Sequence, residues 1–246
     1  MVGPMSNSGF QPKEKFVEWK MEVPSKIEVI GAFLVLLPVS FMLAGSKDVQ
    51  FLFKGPFDYL WFLVLTFIVI LLHEGVHIVV IKALGLGYRL GIGGYYVYVT
   101  IIGEIDRWRF FLIAISPLSI SLLPFVFPNW PILRIMSFLN FLGSVGDILI
   151  LMKLLGVGKA KIVDRGRFIV VLSEKPPRTS ILVKNFFSSF PLFMLASLLI
   201  TLMVLLRLGG AFEISLIPDR IYFLAADFSM VYAILTLFSA NHEMHL

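Results

Sequence analysis

Residues 61–81 read WFLVLTFIVILLHEGVHIVVI. The run is long enough to cross a bilayer as a helix, which takes roughly 20 mostly apolar residues. It carries a His, a Glu and a second His near its end. Charged or ionisable groups inside such a run are costly, so their presence points to function by default. His73 and His77 are four apart and therefore lie one above the other on the same helix face. Two imidazoles at that spacing can hold one Zn²⁺, and Glu74 beside them is placed to take a proton from a water the metal activates.

The rest of the chain suits an apolar solvent. Of 246 residues, 58% are hydrophobic and 15% charged, with a mean hydropathy of +0.91. A soluble domain has about a quarter charged. The net charge is +5, and its basic residues fall in connecting segments rather than on one face, which argues against nucleic-acid binding. Cysteine is absent. Any metal must therefore rest on His, Asp or Glu.

Six apolar segments read as spanning helices, over about 27–45, 58–82, 108–127, 130–153, 186–207 and 221–240. Lys and Arg are richest before the first, after the second and after the fourth, with Lys153 among the last group. Both termini are then expected in the cytosol, and the chain in the plasma membrane of a prokaryote. Residues 1–26 read as a cytosolic arm and 27–246 as one transmembrane domain, with a core at 58–155 and a cytosolic loop at 154–185. Residues 85–103 hold six glycines around the alternating YYVYVT, and read as a membrane-associated β-hairpin following the HEGVH helix. A small cytosolic hairpin is expected over 159–172, turning at Asp164–Gly166. The expected class is thus an all-α polytopic membrane protein of about six helices, with two hairpins.

A catalytic zinc takes three protein ligands and keeps a position open. Asp147 is the best third ligand. Asn140, Gly143, Ser144 and Asp147 fall at i, i+3, i+4 and i+7, which is one small or polar helix face. Small residues let a second helix come close. In the expected topology Asp147 and His77 also share a depth, toward the cytosolic side. Asp227 in the last segment is the rival ligand. His242 and His245, three apart, read as an exposed tail. Ser116–Pro117 interrupts the third segment, and such a kink either shapes a cavity or is re-satisfied by neighbours.

HEGVH in one apolar segment, Ser-Pro in the next and Asn-x6-Asp in the one after resemble the small polytopic zincin peptidases. More distantly they resemble the site-2 protease class of intramembrane zinc metalloproteases. The resemblance covers about residues 58–155. It implies zinc on His73, His77 and Asp147, Glu74 as general base, and Asn140 holding the substrate carbonyl or its oxyanion. It also implies that an extended, membrane-associated peptide pairs with the 85–103 hairpin. One departure stands out: Gly146-Asp147-Ile148 replaces the LDG of site-2 proteases, and no Pro lies between the Asn and the Asp. The expected activity is intramembrane peptide hydrolysis on membrane-protein substrates. A metal-ion or proton-coupled transporter and a non-catalytic zinc-binding adaptor are the alternatives.

Overall fold

In a computed structural model, the structure describes residues 16–44, 56–93, 96–166, 168–207, 221–222, 225–234 and 236. The sixth candidate span lies partly outside them, and His242 and His245 lie wholly outside.

The fold is mixed α/β, which overturns the all-α, six-span expectation. Among the described residues six strands form two sheets, and two helices are long and apolar enough to cross a membrane, or up to four if each of two bent pairs makes one span. The four-stranded sheet has the order β1-β6-β5-β4, from β1 (Val17–Glu22), β4 (Glu104–Asp106), β5 (Ala160–Asp164) and β6 (Phe168–Ser173). All its pairings are antiparallel. The two-stranded sheet pairs β2 (Gly87–Gly93) with β3 (Tyr96–Ile102).

Strand β1 comes from the supposed cytosolic arm. Its sequence VEWKME alternates apolar and charged residues, the period of a half-buried strand. Met21 is buried, and the Trp19 indole N–H donates to the Ser173 carbonyl. Asp164 ties the two sheets together, because its carboxylate accepts from the backbone N–H of Ile101 as well as that of Gly166. Burial pushes its carboxyl above the ordinary carboxylate range, against those two bonds. Ile81, Ile101, Ile105, Phe110, Ile162 and Val171 join in one buried cluster between sheet and helix ends.

The helices are α1 (Lys26–Ala44), α2 (Pro56–Ala83), α3 (Arg107–Ile115), α4 (Leu118–Ser121), α5 (Leu123–Val126), α6 (Pro131–Gly143), α7 (Val145–Leu154) and α8 (Arg178–Arg207). A shorter apolar helix spans Ala225–Ile234. Helix α2 holds the HEGVH motif. It ends in a Schellman motif, with Gly85 at φ 71° and the Leu86 N–H bonded to the Ile81 carbonyl. Trp61, Leu63 and Phe67 on its outer side are 69%, 64% and 62% exposed, a surface that water does not favour.

Breaks explain why two of the apolar runs are not straight spans. Hydropathy records apolar content and is blind to direction. The third run bends by 40° where Ser116–Pro117 parts α3 from α4, and the fourth bends by 47° where α6 meets α7. At that second bend the Ser144 hydroxyl donates to the Asn140 carbonyl, a back-bond that bends helices.

Lys153, expected as a basic residue closing the fourth apolar segment, is buried. It is 1% exposed and pairs with Glu28, itself 2% exposed, at 2.5 Å. Ser25 and Glu28 form a capping box at the start of α1, which fixes the carboxylate for the pair. Removing one partner of a buried pair leaves an uncompensated charge and costs about 3–5 kcal/mol, whereas removing both costs far less. Lys153→Met should therefore lower the thermal unfolding midpoint markedly, and Glu28→Gln with Lys153→Met should recover most of the loss. Circular dichroism in detergent checks this; equal losses in the single and double variants contradict it.

Candidate metal centre

Two helices supply the donor atoms of the site. Helix α2 presents His73 and His77 on one face, 8% and 7% exposed. Their rings stand edge to face with centroids 5.0 Å apart. Asp147 comes from the first turn of α7, just after the bend at Ser144. Its Oδ2 lies 3.0 Å from His73 Nε2 and 3.4 Å from His77 Nε2. All three donor atoms lie within 4.8 Å of one another. Among the described residues no fourth His, Asp or Glu joins them.

The hydrogen bonds around the rings fix which nitrogens face inward. Asn140 is fully buried, and its amide nitrogen donates to the Pro117 carbonyl and to Ser121 Oγ, each at 2.8 Å. A carbonyl can only accept, so the amide orientation is settled and its oxygen faces His73. His73 Nδ1, 3.1 Å away, must then be the donor. His77 Nδ1 lies 2.9 Å from the Ile113 carbonyl and must donate as well. A neutral imidazole has one N–H and one lone pair. Both Nε2 atoms therefore turn lone pairs toward the Asp147 carboxylate.

With both rings neutral, lone pairs on two nitrogens and one oxygen repel each other unless a proton or a metal cation sits among them. The spacing fits a metal cation. Tetrahedral Zn²⁺ with ligands at 2.0–2.2 Å puts its donors about 3.3 Å apart, and the two observed separations of 3.0 and 3.4 Å bracket that value. The donor set of two imidazoles and a carboxylate is one that catalytic zinc uses, with the fourth position left over. His73, His77 and Asp147 thus fit the metal.

Glu74 is half-buried on the same turn, and its carboxylate makes no hydrogen bond to a described residue. Asp227 is exposed on the helix Ala225–Ile234 and is not part of the group, which leaves Asp147 as the third donor. Asn140 contacts His73, and both its amide hydrogens are engaged within the protein, by the Pro117 carbonyl and Ser121 Oγ. The face of Asn140, Gly143, Ser144 and Asp147 does meet α2, through Asn140 and Asp147, but a side chain on Gly143 would meet nothing within 4 Å, so that glycine is not what allows the approach. Sequence reasoning missed Ile113 and Ser121, whose contributions are a backbone carbonyl and a hydroxyl acceptor. The proline four residues after Ile113 was the available signal.

Two imidazoles and a carboxylate that converge from apolar helices, with a glutamate beside them, define a candidate metal site. The family model described as "Putative zincin peptidase" matches residues 66–162, which takes in every one of these groups. An uncharacterised 24.7 kDa protein from the gap 5′ region of Pyrococcus woesei is 32% identical over 161 residues, covering 60% of this chain and 67% of that one. No solved structure matches the chain. Residues 66–162 are thus similar to the zincin peptidases, and that similarity points to a zinc metallopeptidase.

Proposed function

We propose that this protein is an intramembrane zinc metallopeptidase that cleaves peptide bonds of membrane proteins or membrane-associated peptides. The observation that carries the reading is the convergence of His73, His77 and Asp147 from two apolar helical segments, with Glu74 alongside. His73 lies 13 residues after Leu60 and 10 before Ala83, the bounds of the apolar segment. That places it about 20 Å and 15 Å from the ends at 1.5 Å per residue, well inside the helix. The resemblance to site-2 proteases points the same way. The basic connecting segments favour cytosolic termini and plasma-membrane placement.

Bound zinc would supply Lewis acidity, polarising the scissile carbonyl and lowering the pKa of a water to about 7. Glu74 takes one proton from the attacking water. The water oxygen forms a bond to the carbonyl carbon, and the C–N bond then breaks. Glu74 returns its proton to the departing nitrogen, so the carboxylate ends as it began. Asn140 and the Ile113 carbonyl hold the two rings in place. A helical substrate hides its carbonyls, so the substrate must be extended where it is cut. The outer edge of β2 suits such a segment by strand addition, since the Ile101 N–H of β3 is already taken by Asp164.

The test uses the full chain in proteoliposomes with a single-span peptide substrate containing a helix-breaking residue. Cleavage should appear, stop when a chelator strips the zinc, and return on adding zinc back. Zinc flux without cleavage would establish a transporter instead, and zinc retention with neither activity an adaptor.

A further inference from the structure

We propose that the Ser116–Pro117 break is the positioning element of the metal centre, with Pro117 and Asn140 its working residues: the backbone carbonyls of Ile113 and Pro117 set the tautomers of both histidines. Proline has no N–H, so it cannot bond the carbonyl four residues back. For Pro117 that carbonyl belongs to Ile113. The freed oxygen takes the Ser116 hydroxyl at 2.7 Å, the Ser116 N–H at 3.3 Å and His77 Nδ1 at 2.9 Å. His77 thus docks where an unbroken helix would have bonded itself.

The second carbonyl acts at one remove. Pro117 O accepts from the Asn140 amide, and the Asn140 oxygen accepts from His73 Nδ1. Ser121, one turn beyond the break, anchors the other amide hydrogen. Its own hydroxyl leans on the Ser137 carbonyl, and the Ser137 hydroxyl donates back to the Ser121 carbonyl, which rivets α4 to α6. The chain of contacts therefore runs from one helix break to both rings, and each ring is left with Nδ1 protonated and Nε2 free. Without these acceptors an imidazole can place its hydrogen on Nε2, the atom that faces Asp147. A generic membrane kink would need only to have its carbonyls re-satisfied; here the freed Ile113 carbonyl and the Pro117 carbonyl, which also accepts the Ile120 N–H at 3.0 Å, both serve the same pair of side chains.

The inference rests on reading His73 and His77 as metal ligands, but its test is readable without metal. The full chain, labelled with ¹⁵N at histidine and stripped of zinc in micelles, is studied by long-range ¹H–¹⁵N correlation above the imidazole titration range. The wild type should show two imidazoles held in the Nδ1–H form. Asn140→Leu should move one of them, His73, toward the Nε2–H form. Pro117→Ala, which returns a competing N–H to Ile113 O, should move the other. Ser121→Ala, a milder change, should shift the His73 signal in the same direction by less, and it serves if Asn140→Leu does not fold. Zinc affinity should fall about 10–100-fold in the first two variants, the usual cost of losing such a support, with Asn140→Asp restoring the His73 signal because it keeps an acceptor oxygen. Unchanged tautomers in Asn140→Leu and Pro117→Ala, or in Ser121→Ala and Pro117→Ala, would overturn the proposal. Failure of the wild type to bind zinc, with the tautomer shifts intact, would strike only at the proposed function.

Discussion

Glu74→Gln retains a full complement of zinc and hydrolyses substrate about 10²–10⁴-fold more slowly, the range a positioned general base contributes. The substitution swaps one carboxylate oxygen for an amide nitrogen with almost no change in volume. Glu74 is not among the three converging donors, so metal occupancy does not depend on it. It also makes no hydrogen bond to a described residue, so the fold loses no contact that could confuse the result. The expected signature is therefore a fall in kcat at constant zinc stoichiometry. Measuring metal content by mass spectrometry beside single-turnover cleavage checks it. A fully active variant would remove Glu74 from the chemistry.

Asp147→Ala should weaken zinc binding by more than the 10–100-fold that follows loss of an outer support, because it deletes one of three direct donors. The Asp147 side chain is 23% exposed, so its truncation opens no deep cavity. Two neutral imidazoles remain, which hold divalent zinc less well without a negative charge. Asp227→Ala is the control. That residue is exposed and apart from the group, and its loss should leave zinc affinity unchanged. Chelator competition on the purified chain measures both. Equal affinities for wild type and Asp147→Ala would remove the carboxylate from the centre.

The site was more legible than the fold, and the reason is physical. His73 and His77 are linked by helical periodicity within α2, which survives any rearrangement of whole helices, and Asn140 and Asp147, on either side of the α6–α7 bend, still reach them. Asp147 could be matched to the histidines because a metal demands a third donor and few acidic groups lie in apolar segments. What surrounds the ligands was not legible. The acceptor for His77 is a backbone oxygen, and nothing in the identity of Ile113 announces it; only the proline at 117 does. The contact of Asn140 with His73 was not legible either, since an asparagine's chemistry suits a substrate-facing task as well.

The misread parts of the fold share one cause, the treatment of segments one at a time. Residues 17–22 alternate as a strand should, yet a strand needs a partner, and that partner, 168–173, lies about 150 residues away. Lys153 resembles any lysine that ends a membrane helix. Its burial depends on Glu28 reaching it from the far side of the chain, and the capping box at Ser25–Glu28 gave the position of that carboxylate without its destination. The apolar runs at 108–127 and 130–153 are real, but Pro117 and Ser144 turn each into two directions.

Zinc-edge X-ray absorption of the purified, zinc-loaded chain tests the metal centre most directly. Two imidazole nitrogens and at least one oxygen should surround a single ion per chain at about 2.0–2.2 Å, with the imidazole signal falling in His73→Ala and in His77→Ala. A spectrum of zinc ringed by oxygen alone, unchanged in both variants, would contradict the account.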